Sequence, residues 1–229
     1  MKIVIIHGQS HQGSTCHIAR QLAEKLKGET KEFFLPRDFD NICTGCTACF
    51  KKDEKLCPHH EKLKSLTEAL DKADVIILAS PVYVYHVTGA MKNFLDHYGY
   101  RWIVHRPEET MFKKQAVCIS TAAGAGTKST CKDMADSMFF WGAGRIYKIG
   151  VNVRATSWKD IKPEIRAVID RKTSETAGKI RKNYGRVKPS LKTRMFFEVV
   201  RILVKRGWTE EDSIYWQKKG WLGNKRPWK

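Results

Sequence analysis

Cysteine carries the densest chemistry in this chain. Cys43, Cys46 and Cys49 are each separated by two residues, and Cys57 follows directly before Pro58. A thiolate is a soft anionic ligand, so four of them in one irregular stretch can converge on an iron–sulfur cluster. With His59 or His60 the same thiols can hold zinc, and without metal they form a structural loop. All three readings stay open on spacing alone. Cys16, Cys118 and Cys131 fall inside helix or strand patterns and read as buried packing residues. Seven cysteines and no export-signal pattern argue for metal or redox use in a reducing compartment, expected to be the cytoplasm, rather than a disulfide scaffold.

The second chemistry is anion binding. Lys2–His7 is a short β-branched run that passes into Gly8-Gln9-Ser10-His11-Gln12-Gly13-Ser14-Thr15, and a helical pattern follows over Ile18–Leu26. The first N–H groups of a helix lack internal partners and its dipole favours an anion there. Ser10, His11, Gln12, Ser14 and Thr15 are the candidate contacts. The loop has neither the lysine of a Walker loop nor the GxGxxG spacing, so a single phosphate fits better than a triphosphate or a dinucleotide. The competing reading makes Ser14 a helix N-cap and nothing more.

These residues need a scaffold, and the apolar pattern supplies one. Strands are expected at Lys2–His7, Glu32–Leu35, Asp74–Ser80, Gln115–Thr121 and Ile146–Val153, alternating with helices near Glu61–Lys72, Thr88–Tyr98 and Ser129–Trp141. The continuous apolar run Val75–Ala79 suits a central strand covered on both faces. Such alternation predicts an α/β fold, a doubly wound five-stranded parallel sheet in the flavodoxin-like order. Three loops then meet at one crevice. Besides the first loop they are Pro81, Val82, Tyr83, Val84 and Tyr85, with flat hydroxylated rings, and Thr121, Ala122, Ala123 and Gly124, small enough for close backbone approach. A flat phosphorylated ligand such as FMN fits all three.

The motifs Gly8–Thr15, Ser80-Pro81-Val82-Tyr83 and Gly89-Ala90-Met91-Lys92-Asn93-Phe94-Leu95-Asp96 resemble the NADPH-dependent FMN reductase family over roughly residues 1–155. That family usually reads Gly-Ser-Pro-Arg in the first loop. Here Gln9-Ser10 replaces Ser-Pro, and His11 stands where the family has Arg. The resemblance implies an oxidoreductase that passes electrons from NAD(P)H through FMN to a quinone, nitro compound or similar small acceptor. The cysteine spacing is similar to the bacterial ferredoxin pattern, with a last gap of seven residues rather than three, and to the iron–sulfur flavoprotein branch of the same family. That branch implies an electron carrier, with a 4Fe–4S cluster on Cys43, Cys46, Cys49 and Cys57 taking single electrons from an acidic ferredoxin-like partner.

The 42 Lys and Arg outnumber the 24 Asp and Glu, and the excess is concentrated late: 21 against eight between Val151 and Lys229. Such a balance suits acidic partners, an anionic surface or a solvated exterior. No nucleic-acid motif accompanies it, and no apolar run reaches membrane-spanning length. The expected division is a flavin-binding domain over 1–186 and a helical arm over 187–229. Within the arm, Leu191–Arg206 is amphipathic and basic, able to lie on a membrane but read here as packing on its own domain or a sister subunit. Thr209-Glu210-Glu211-Asp212 is a variant capping box. Four of the seven tryptophans fall in the last 22 residues, which predicts an arm that docks and is ordered by oligomerisation, with a homodimer as the default.

Overall fold

The computed structural model describes Met1–Lys229. Its strands are β1 (Lys2–His7), β2 (Glu29–Phe34), β3 (Val75–Ala79), β4 (Gln115–Ala122) and β5 (Arg145–Asn152), ordered β2-β1-β3-β4-β5. All four pairings are parallel, with Ile5 opposite Ile77 and Ile77 opposite Val117. This is the expected flavodoxin-like sheet.

The two-residue period of a strand divides the apolar side chains between two layers. Ile3, Ile5, Val75, Ile77, Val117 and Ile119 pack against helices α1 (Ser14–Leu26) and α6 (Pro163–Asn183), through Ile18, Leu22 and Ile169 among others. Val4, Ile6, Ile76, Leu78, Ala116 and Cys118 face α3 (His60–Lys72), α4 (Gly89–Asp96) and α5 (Thr127–Phe140). Leu63, Leu66 and Leu70, spaced at three and four residues, bury the inner face of α3 as their periodicity predicts. Each such side chain contributes about 1.5–3 kcal/mol when fully buried. Between β2 and α3 the chain has no long element, only the one-turn helix α2 (Ala48–Lys51) and a 3-10 turn at Glu54–Leu56.

After α6 come α7 (Leu191–Lys205) and α8 (Glu210–Lys218). They build a third apolar cluster in which Phe197, Val200, Val204, Trp216 and Trp221 close over Ile103 and Phe112, from the connection between α4 and β4. Phe197 and Trp216 stack with centroids 4.6 Å apart. Trp216 and Trp221 thus find cover on their own domain, while Trp208 stays 55% exposed. The dense tryptophan is accounted for by intrachain packing, not by a free arm that waits for a partner.

The expected capping box is also remade. The Thr209 hydroxyl accepts from the Asp212 N–H, but the Asp212 side chain turns into the protein and binds His105 and Arg106. On α7 one face is buried, and the opposite one leaves Leu191, Met195, Val199, Ile202 and Leu203 exposed in a row. No helix is long and apolar enough to cross a membrane.

Candidate functional site

A cleft of about 260 Å³ opens at the carboxyl ends of β1, β3 and β4. Its first wall is the start of α1. Gly13, not Ser14, occupies the cap position, no side chain caps the helix, and no acidic residue stands in its first turn. The leading N–H groups and the positive end of the dipole therefore meet the cleft uncompensated. Gly13, Ser14, Thr15 and Cys16 line it, with His11 beside them. The His11 ring lies against Gly13 so closely that a Cβ there would sit 2.7 Å from His11 Cε1. The structure does not bring Ser10 and Gln12 to the cleft wall. The Ser10 hydroxyl donates to the Leu35 carbonyl at 3.3 Å, and the Gln12 side-chain oxygen accepts from Arg20 at 2.9 Å.

The second loop contributes Pro81, Val82 and Tyr83 to the wall. Gln9, a residue the sequence reading passed over, donates to the Tyr83 hydroxyl at 2.8 Å and joins the first loop to the second. Val84 and Tyr85 do not reach the wall. Tyr83 and His86 exchange both main-chain hydrogen bonds around them, which forces φ of 48° and 68° and leaves the two 93% and 64% exposed. Left-handed backbone at a β-branched residue costs about 1–3 kcal/mol and persists only where the surroundings impose it. Here Ser129 donates to the Tyr85 carbonyl, and His86 bonds Asp133 at 3.0 Å.

Thr121, Ala122 and Ala123 complete the cleft; Gly124 stays off its wall. The glycine this corner needs is Gly126, whose φ is 96° and whose Cβ would fall 2.6 Å from Val82 Cγ1. Thr15 and Thr121 share a buried hydroxyl–hydroxyl bond of 2.6 Å, which fixes the first loop against the third. His7, Val153, Ala155 and Thr156 also line the cleft. Burial holds His7 below the usual histidine range, against the pull of its Glu32 partner. The residues after β5 carry no periodic signal, so only the fold places them here.

The cysteine loop is registered on α4. Asn93 accepts from the Cys43 N–H at 2.9 Å and donates to the Asn41 carbonyl at 2.6 Å. All four thiols are free; Cys43 and Cys46 are exposed, Cys49 and Cys57 partly buried. Burial, with Cys57, Cys43 and Cys46 as neighbouring like charges, pushes the Cys49 thiol up to about 11. Cys49 thus stands among three further thiols, and four soft thiol donors in one loop have the chemistry that suits an iron–sulfur cluster.

A second grouping overlaps the first. The ligand atoms of Cys57, His59 and His97 lie within 4.8 Å of one another, with His59 Nδ1 2.9 Å from His97 Nε2. His97 is in turn oriented by the Asn93 carbonyl, at 2.8 Å. Of the two histidines offered beside the cysteines, His59 joins this grouping and His60 does not; its second histidine is His97, directly after α4. His97 lies forty residues from Cys57, beyond the reach of any local spacing.

Residues 1–155 match the family model of the NADPH-dependent FMN reductases. The chain belongs to that family. Among curated proteins it is 39% identical over 89 residues to an iron–sulfur flavoprotein of Archaeoglobus fulgidus, a match covering 38% of this chain and 36% of that one. A second from the same organism is 31% identical over 99 residues, with 42% and 48% covered. One from Methanosarcina thermophila is 26% identical over 149 residues, with 62% and 75% covered. The chain thus spans half or less of the length of the two Archaeoglobus proteins.

Among solved structures an azoreductase from Bacillus anthracis aligns at TM-score 0.60 and 13% identity, over 78% of this chain and 99% of that one. An NAD(P)H:quinone oxidoreductase from Methanothermobacter marburgensis aligns at TM-score 0.60 and 14% identity, over 79% and 97%. At these identities the likeness is one of fold. It stops short of the whole chain.

The site geometry makes one glycine critical. Gly126→Ala should destabilise the protein by about 1–3 kcal/mol, because it combines left-handed backbone with a clash against Val82. Gly124→Ala, with open space around it, should change stability by less than about 1 kcal/mol. Urea midpoints compare the two, and equal values would refute this account of the third loop.

Proposed function

We propose that the protein is an FMN-dependent oxidoreductase that takes electrons from NAD(P)H and delivers them to a small acceptor such as a quinone or nitro compound. The observation that carries this reading is the uncapped start of α1, aimed into a cleft whose walls the hydroxyls of Thr15 and Thr121 lock together. FMN, when bound, supplies the hydride- and electron-transfer chemistry. The chain's own part is to bind and orient. We assign the phosphate to the N–H groups of Ser14, Thr15 and Cys16 and to the Ser14 hydroxyl. The ring is assigned to Pro81, Val82 and Tyr83 on one side and Ala122 and Ala123 on the other. Ser10, Gln12, Val84, Tyr85 and Gly124, away from the cleft wall, are left out of this assignment.

The cysteine loop supports a second reading, an electron relay with a 4Fe–4S cluster on Cys43, Cys46, Cys49 and Cys57. The grouping of a partly buried Cys49 with three further free thiols favours it, as do relatives named iron–sulfur flavoproteins. The excess of Lys and Arg suits an acidic ferredoxin-like donor. We further propose that the tail joins two copies through the exposed row on α7. Five large apolar side chains in one stripe are more than a solvated helix face needs.

Three measurements test these statements. Ser14→Ala combined with Thr15→Ala should weaken FMN binding by about 1–3 kcal/mol in a fluorescence titration; an unchanged Kd would remove the first loop from the site. Protein purified without oxygen should hold flavin and about four irons per chain, and mixing with NADPH should bleach the flavin within seconds. Iron with no response to NADPH would favour the relay, and absence of both flavin and iron would sink both readings. Met195→Glu with Ile202→Glu should convert a dimer to monomer in sedimentation, and a surviving dimer would exclude this face. Truncation after Ser190 is the poorer test, since it also strips the cover from Ile103 and Phe112.

A further inference from the structure

The last helix does more than bury tryptophan. Asp212, fully buried on α8, receives Arg106 Nη1 at 2.9 Å on one carboxylate oxygen and His105 Nδ1 at 2.9 Å on the other. The same Arg106 guanidinium donates to the Cys49 carbonyl and, at 3.2 Å, to the Phe50 carbonyl. The His105 ring packs edge-on against Phe50 at 4.9 Å. Two further bonds from α8 hold the same segment: Tyr215 Oη to the Pro107 carbonyl and Trp216 Nε1 to the His105 carbonyl, both 2.7 Å.

Apolar docking of α8 requires none of this. Burying a carboxylate and a guanidinium carries a desolvation penalty that a pair of hydrophobic residues would avoid. What the ionic pair provides is a rigid planar fork whose Nη1 is shared by Asp212 and the Phe50 carbonyl and whose Nη2 reaches the Cys49 carbonyl. Of the residues that fork touches in the cysteine loop, one is Cys49 itself.

We propose that the C-terminal extension is part of the cysteine site: through Asp212 it anchors Arg106 against the Cys49 and Phe50 carbonyls and so sets where the Cys49 sulfur stands relative to the other three thiols. Asp212 and Arg106 are positioning residues in this scheme. It rests on the reading of the cysteines as cluster ligands. It goes beyond that reading by making a segment outside the family-matched residues 1–155 a determinant of the site.

The test compares full-length wild type with Arg106→Lys, Asp212→Asn and Tyr215→Phe, all prepared without oxygen. A lysine has no planar fork to span Asp212 and both carbonyls, and asparagine removes the buried anion. Tyr215→Phe loses an α8 hydrogen bond without touching Arg106, and so reports ordinary loosening of the helix. Arg106→Lys and Asp212→Asn should release iron to a chelator about tenfold faster or more and change the electron paramagnetic resonance spectrum of the reduced protein, with flavin content kept. Tyr215→Phe should match wild type in both. Folded Arg106→Lys with the wild-type spectrum and release rate would overturn the proposal, and this variant decides if Asp212→Asn does not fold. If wild type holds no iron, the cluster reading fails separately. Cys49 alkylation in the metal-free chain then judges the clamp: about tenfold faster in Arg106→Lys supports it, and an equal rate rejects it.

Discussion

One hydroxyl holds the working end of this molecule together. The Thr88 side chain donates to the Gly8 carbonyl at 2.5 Å and accepts from the Met91 N–H at 3.1 Å, while its own N–H donates to Ser80 Oγ at 3.0 Å. Gly8 begins the loop after β1, Ser80 follows β3, and Met91 lies in the first turn of α4. The bond is possible because β1 and β3 are neighbours, and because Gly8 has no Cβ, which would stand 2.8 Å from this same oxygen. A helix cap and a loop-to-loop tie are thus made by one atom. Everything α4 carries is placed by it: Asn93 against Cys43 and Asn41, and His97 against His59. This one short helix thus joins the ends of β1 and β3, at its start, to the cysteine loop, at Asn93.

From the other side the cysteine loop is gripped by the tail. Burial pushes the Asp212 carboxyl up, but bonds with His105 and Thr209 and the charge of Arg106 outweigh it and hold the group below its usual range. The loop between β2 and α3 has almost no regular structure of its own. It is framed instead by Asn93 and by Arg106, both from elements more than forty residues away in sequence. An irregular segment held at both ends by side-chain hydrogen bonds to its main chain can keep ligands in place without a sheet or long helix beneath them.

Most of the scaffold was legible because its signals are local. The β-branched runs Lys2–His7 and Val75–Ala79 have the length and continuity of covered parallel strands, and all five strands appear in the anticipated order. The positions where reading fell short are set by pairing at a distance. The Ser10 hydroxyl donates to Leu35 instead, and the Gln12 side chain turns to Arg20, from which its oxygen accepts. Val84 and Tyr85 lack the Asn-Gly signature of a turn with positive φ, so nothing in their types shows that they point outward. Thr209 was recognisable as a helix start, yet the capping-box pattern hid the use of Asp212, whose partners lie more than a hundred residues upstream. Burial was foreseen for Trp216 and Trp221, though not what covers them, because Ile103 and Phe112 stand in a connection with no period; Trp208 stays exposed.

The charge excess has a structural use that composition alone conceals. Lysine and arginine carry only donors, so a chain with far more cations than anions has spare N–H groups, while loops and helix ends have spare carbonyls. Here the two are matched repeatedly. Lys114 Nζ, buried, donates to the Asp71 and Ala73 carbonyls at the end of α3, both at 2.6 Å, where the helix dipole also favours a cation. Arg166 takes the Trp158 carbonyl at 2.7 Å, Lys172 the Gly150 carbonyl at 2.7 Å, and Arg181 the Lys25 carbonyl at 2.5 Å. The Arg106 fork on Cys49 and Phe50 is one more instance, distinguished by what it positions. Part of the positive charge is therefore internal mortar, and a surplus of lysine and arginine is no measure by itself of an anionic partner. The part that bears on partners is the remainder left in solvent, such as Lys192, Lys205 and Arg206 beside the apolar row of α7.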